Sequence, residues 1–189
     1  MVGRRRRQDR REGRREERRD ERQTFGRGGD ATRYQMRQKM VSFGDDFWIE
    51  SDAGERVFKI DGKALRVRDT LKFEDTQGNE LARIQQKIAR IRDTMKVEGA
   101  DGSTLATIKK AMITPLRERY TVDVPSGESM DVKGNIVDHE YTISAGGHKV
   151  AEVSKKWFRV RDTYGVEVSP DQDDIVILAV TVAIDMISH

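Results

Sequence analysis

Arg66-Val67-Arg68-Asp69-Thr70 returns as Arg90-Ile91-Arg92-Asp93-Thr94 and again as Arg159-Val160-Arg161-Asp162-Thr163. Nine residues before each copy, an apolar residue opens a second shared stretch: VFKIDGKAL from Val57, LARIQQKIA from Leu81 and VAEVSKKWF from Val150. Extending the register without gaps lays Met40 to Ile49 over Ile88 to Val97, so that Phe43 meets Ile91, Asp45 meets Asp93 and Phe47 meets Met95. Equivalent positions then fall near Met40, Ala64, Ile88, Met112, Gly134 and Trp157, which makes six units of 22 to 24 residues. Self-similarity at a fixed period marks a chain built from copies of one supersecondary element.

Within a unit the apolar residues alternate, as at Leu65, Val67, Leu71 and Phe73, or Phe158, Val160, Tyr164 and Val166. A period of two means a strand with one buried face. Turn glycines follow in the first five units, at Gly54, Gly78, Gly102, Gly127 and Gly146-Gly147, each suited to a hairpin turn that needs positive φ. The second strand of a unit, such as Leu81 to Ile88, is less regular and implies bulges. Two strands per unit predict about twelve antiparallel strands, and closure into a barrel removes the exposed edges.

The last segment breaks the pattern. Ile175 to Ile184 is apolar on every side and follows Asp173 and Asp174, carboxylates that favour a helix N-terminus. It is shorter than the roughly 20 residues of a membrane-spanning helix, and Asp185 interrupts it. Its β-branched content leaves a thirteenth strand open, while its length favours a helix buried all round.

Charge divides the chain of 189 residues in two. Residues 1–30 carry twelve Arg and seven acids, and the remainder carries 24 Lys or Arg and 26 acids. The basic character therefore belongs to the N-terminal segment and not to the repeats. From Gly3 to Gly29 the one large apolar residue is Phe25, too little to offset the entropy of ordering. Residues 1–33 read as a disordered Arg-rich tail with a glycine linker, and residues 34–189 as the folded domain. The absence of cysteine excludes disulfides and thiol catalysis and suits a reducing compartment, and no export signal opens the chain. A cytoplasmic protein is the expectation, with peripheral contact to membranes.

No catalytic constellation is legible. His139, His148 and His189 are dispersed, without the spacing of metal ligands. The expectation is no enzyme, no metal and no cofactor. Asp171, Asp173 and Asp174 fit helix capping better than a calcium loop. The repeated Asp45, Asp69, Asp93 and Asp162 read as acceptors of local backbone N–H groups at strand kinks. The flanking Arg66, Arg68, Arg90, Arg92, Arg159 and Arg161 have outward parity. With Lys109, Lys110, Lys155 and Lys156 they form a candidate basic belt for phosphates or lipid headgroups. Arginines in residues 4–27 offer a separate contact to nucleic acid, diluted by the interleaved acids.

Met36-Arg-Gln-Lys-Met40, the repeated Arg-x-Arg-Asp-Thr, Val132-Lys-Gly-Asn-Ile136, His139-Glu-Tyr-Thr-Ile143 and the terminal Ile175 to Ile187 with its Ile184-Asp185 pair together resemble the LURP-one-related family. That family lies within the tubby C-terminal-like superfamily, which includes phospholipid scramblases. The resemblance implies a closed twelve-stranded barrel threaded by the C-terminal helix. It also implies diverse roles: tubby-like members tether to phosphoinositides and scramblase-like members act at membranes with calcium. This chain lacks the palmitoylated cysteines and longer helix of scramblases, which argues against lipid translocation. The functional expectation is a non-enzymatic binding or scaffold domain docking reversibly on anionic lipid or phosphate-bearing ligands. The alternative is a nucleic-acid-associated protein acting through its tail.

Overall fold

The computed structural model describes residues 13, 15–16, 18–21, 23–26, 28–37, 46–62, 70–87, 94–111, 118–157 and 163–188. Twelve strands follow one another: β1 (Thr32–Arg37), β2 (Phe47–Ser51), β3 (Arg56–Asp61), β4 (Thr70–Asp75), β5 (Glu80–Lys87), β6 (Thr94–Gly99), β7 (Thr104–Lys110), β8 (Glu118–Asp123), β9 (Met130–Asn135), β10 (Glu140–Ala145), β11 (His148–Ser154) and β12 (Thr163–Val168). A 3₁₀ turn at Lys155–Trp157 precedes β12, and helix α1 (Asp174–Ser188) ends the chain. Each strand pairs antiparallel with its sequence neighbours, and β1 pairs with β12 from Thr32↔Val168 to Arg37↔Thr163, closing the barrel.

The repeat marks locate the strands, because β4, β6, β8, β10 and β12 each begin six residues after Ala64, Ile88, Met112, Gly134 and Trp157. The twelfth strand does not come from a sixth hairpin, however. After β12 the chain turns into α1, and β1, which lies ahead of the first unit, completes the sixth pair.

The alternation read from sequence is an inside–outside alternation. Leu71, Phe73, Met95, Val97, Tyr164 and Val166 are at most 1% exposed, while Lys72, Lys96 and Glu98 lie between them at the surface. The expected irregularity is a repeated bulge, at Ile49/Glu50, Phe73/Glu74, Val97/Glu98 and Ile143/Ser144. Such bulges sharpen strand twist and help a sheet curl into a closed wall. Beyond the first three the same turn recurs: Gly54, Gly78 and Gly102 have φ of 80°, 86° and 81°, and their N–H groups donate to the carbonyls of Ser51, Asp75 and Gly99.

Helix α1 fills the barrel. Residues 176 to 185 are buried without interruption, and the helix packs against β5, β6, β7 and β12. A closed barrel has no free strand edge inside it, so a segment there must satisfy its own N–H and C=O groups, and only a helix does so. This resolves the strand alternative left by the β-branched composition. Asp173 caps the helix, its Oδ1 accepting from the backbone N–H of Ile175 at 2.9 Å and of Val176 at 3.2 Å. Its neighbour Asp174 accepts from the Tyr34 hydroxyl at 2.7 Å, tying the start of the helix to β1. Burial, then that bond, raises the Tyr34 phenol pKa. Each large apolar side chain fully buried in this core contributes about 1.5–3 kcal/mol.

β12 differs from every other strand in being buried on both faces, from Thr163 to Val168. Its outer side is covered by the chain ahead of β1. Residues 18–21 and 23–24 are helical, Phe25 is 8% exposed, and Lys149 Nζ lies 4.2 Å from the centre of the Phe25 ring. Glu167, facing outward but 1% exposed, accepts from the Gly26 N–H at 3.0 Å and from the Nε and Nη2 of Arg33. The root of the N-terminal segment is thereby joined to the seam where the first and last strands meet.

Candidate functional site

Asp185 is the one charged residue between Ile175 and Ile187. On a helix buried on all sides, a carboxylate needs partners, because an unpaired charge in an apolar interior is strongly unfavourable. The structure supplies two. The Tyr164 hydroxyl of β12 donates to Asp185 Oδ2 at 2.7 Å, and His139 Nε2 lies 3.1 Å from Asp185 Oδ1, with the two side chains 2% and 4% exposed. The His139 and Tyr164 rings stack at 4.2 Å. Burial pushes the Tyr164 and Tyr141 phenols well above their ordinary pKa, and the Asp185 charge adds to both shifts.

His139 reaches this position at a conformational cost. It ends the four-residue turn joining β9 to β10, donating its N–H to the Ile136 carbonyl at 2.9 Å, and its φ of 52° is left-handed, a region where a side chain costs about 1–2 kcal/mol. The turn is held from both sides. Asn135 Nδ2 donates to Asp138 Oδ2 at 2.6 Å, the Asp138 N–H returns a bond to Asn135 Oδ1 at 3.2 Å, and Ile136 is 1% exposed. Gly134 has φ of 147°, and a Cβ there would sit 2.4 Å from the Glu140 carbonyl oxygen and 2.5 Å from the Tyr141 Cα. The Gly-Asn element of the sequence is thus the mount that aims an imidazole into the barrel.

Sequence reasoning separated these residues, taking His139 as one of three dispersed histidines and Asp185 as a break in an apolar run. The available signal was the lone carboxylate itself. The triad resembles an acid–base constellation; its side chains are buried, and its contacts join the last turns of α1 to β12 and to the β9–β10 turn.

Of the candidate basic belt, Arg66, Arg68, Arg90, Arg92, Arg159 and Arg161 lie outside the described residues, as do Asp45, Asp69, Asp93 and Asp162. The four lysines are described. Lys109 donates to Asp123 Oδ2 at 2.6 Å, and Lys110 Nζ lies 5.8 Å from the centre of the Tyr120 ring. Lys156 Nζ donates to Glu140 Oε2 at 2.9 Å with its side chain 80% exposed, and the Lys155 N–H donates to Glu140 Oε1 at 3.1 Å. Both pairs sit at the same end of the barrel, but β8, β9 and β10 separate β7 from β11, so the lysines form two patches. At the other end, where the tight turns and the link from β12 to α1 lie, the connections carry Asp52, Glu55, Asp101, Glu128, Asp171 and Asp173 and no lysine or arginine.

Among the described residues no group of three or more His, Cys, Asp or Glu is placed to hold a metal ion, and no helix is long and apolar enough to cross a membrane.

A twelve-stranded closed barrel around a C-terminal helix defines the class of fold, and the comparisons agree on it. The profile of the LURP-one-related family matches residues 32–185, and the chain belongs to that family. It is 26% identical over 154 residues to "Uncharacterized protein YxjI" of Bacillus subtilis (strain 168), covering 82% of this chain and 92% of the relative. Among solved structures it resembles an Arabidopsis thaliana protein, AT5G01750, with a TM-score of 0.63 and 17% identity, over 84% of this chain and 92% of that one.

Proposed function

We propose that the domain is a non-catalytic binding or scaffold module that docks end-on and reversibly on anionic, phosphate-bearing surfaces, a membrane leaflet being the leading case. The observation that carries this reading is charge polarity along the barrel. One end bears six carboxylates in the connections between its elements and no basic residue in them, and the chain ahead of β1 enters at this same end, where Arg33 pairs with Asp52. By sequence, the connections at the other end carry Lys39, Lys63, Arg66, Arg68, Arg90, Arg92, Arg117, Lys155, Lys156, Arg159 and Arg161 against Asp45, Asp46, Asp69, Asp93, Asp138 and Asp162. A domain with this distribution is turned by an anionic surface even when its summed charge is slightly negative, because the field acts on the nearer end. The burial of His139, Tyr164 and Asp185 supports a non-catalytic reading.

Co-sedimentation with phosphatidylcholine vesicles, with and without phosphatidylserine, tests the proposal. Binding is expected only to the acidic vesicles and to fall as salt is raised. At about 1 kcal/mol per basic residue near the surface, Lys155→Ala with Lys156→Ala weakens it about thirtyfold at low salt, whereas Asp101→Asn at the other end leaves it intact. Equal binding to neutral vesicles would refute the proposal. Binding lost on deletion of residues 1–12 but unaffected by the lysine substitutions would move the function to the Arg-rich segment and favour nucleic acid as its target.

A further inference from the structure

Outside the barrel, between the root of the N-terminal segment and the 3₁₀ turn, lies an open groove of about 190 Å³ lined by Glu21, Phe25, Gly26, Lys149, Glu152, Trp157 and Glu167. Its walls hold the chain's own cations by one repeated device, a carboxylate on one side and an aromatic ring on the other. Arg33 makes a two-pronged contact with Glu167 while its Cζ lies 5.6 Å from the centre of the Trp157 ring. Lys149 donates to Glu152 at 2.7 Å while lying 4.2 Å from the centre of Phe25. Both inner carboxylates are thereby balanced. Glu21, exposed at the mouth, has no ion-pair partner among the described residues.

We propose that this groove takes the guanidinium of an arginine side chain from a basic peptide segment of a partner protein, stacked against the aromatic wall and paired with Glu21. A planar guanidinium suits such a site better than an ammonium, because it stacks on a ring and offers paired donors to a carboxylate at once. The groove is open and its volume matches one side chain, so the contact is made by a single projecting arginine. This assignment is independent of membrane docking, which uses an end of the barrel and not its flank.

The two tryptophans of the chain allow a direct readout, since Trp48→Phe leaves Trp157 as the remaining indole. The full chain carrying that substitution is titrated with acetyl-Gly-Arg-Gly-amide and, separately, with the neutral citrulline counterpart, following Trp157 emission. A saturable change with the arginine peptide is expected, at least tenfold weaker with citrulline and at least fivefold weaker in Glu21→Gln, a surface substitution that leaves the thermal transition in place. Equal responses to the two peptides, or an unchanged affinity in Glu21→Gln, would overturn the assignment. So would a Trp157 signal that appears without peptide and disappears on dilution, because the Arg-rich segment of a second copy would then be the occupant.

Discussion

Among the described turns, two at one end of the barrel and one at the other are held by opposite means. At the acidic end the β4–β5 and β6–β7 turns are self-contained: Asp75 Oδ1 accepts from the N–H groups of Gln77 and Asn79, and Asp101 Oδ1 accepts from that of Ser103. Side-chain hydrogen bonds from Asn79 and Ser103 first, and these backbone bonds after them, hold the Asp75 and Asp101 carboxyls below their usual pKa. At the opposite end the turn from β9 to β10 leans on a residue 46 positions away, the Asp185 that meets His139. Local turns tolerate change because only their own loop suffers. A turn that positions a buried ionisable group passes any damage to the core.

The largest loss of stability is expected from Asp185→Ala. It leaves His139 and Tyr164 buried beside a cavity, and losing one partner of a buried pair costs about 3–5 kcal/mol. Urea unfolding reads this directly, and an unchanged midpoint would mean that the cluster does not hold the helix. Next comes a matched pair of glycines. Gly134→Ala places a Cβ against backbone atoms with no room to move, so the destabilisation exceeds the about 1–3 kcal/mol of dihedral strain alone. Gly102→Ala meets open space at φ of 81°, and costs about 1–2 kcal/mol. If the two substitutions cost the same, the distinction between the ends fails.

The smallest effect is in alkali. Because Tyr141 and Tyr164 keep their protons more tightly folded than unfolded, their contribution is complete below the ordinary tyrosine range near pH 10. As pH rises above it the unfolded state releases protons first, and stability falls. Tyr141→Phe should flatten this slope in a series of melting curves at increasing pH; an unaltered slope would show that Tyr141 ionises freely in the folded chain.

Much of this architecture is local information. The period of 22 to 24 residues, the inward parity of Leu71, Phe73, Met95 and Val97, and the left-handed Gly54, Gly78 and Gly102 each depend on residues a few positions apart, so they leave a mark in the sequence, whereas Gly127, expected to be left-handed too, has no positive φ. The basic belt was legible as residue types, but its division into two lysine patches needed the strand order. His139, Tyr164 and Asp185 were not legible as a group, since nothing in their spacing brings them together.

By itself, then, the sequence determined the repeated hairpins, the strand count and an apolar C-terminal segment too short to span a bilayer as a helix. Only the tertiary structure decided that β1 and not a sixth hairpin supplies the last strand, that the apolar segment is a helix, and that its one carboxylate meets an imidazole on the far side of the chain. The reason is closure: once the first and last strands pair, the interior offers no hydrogen-bonding edge and its side chains are shielded from bulk solvent. Backbone and charge alike must then find partners that no local pattern encodes.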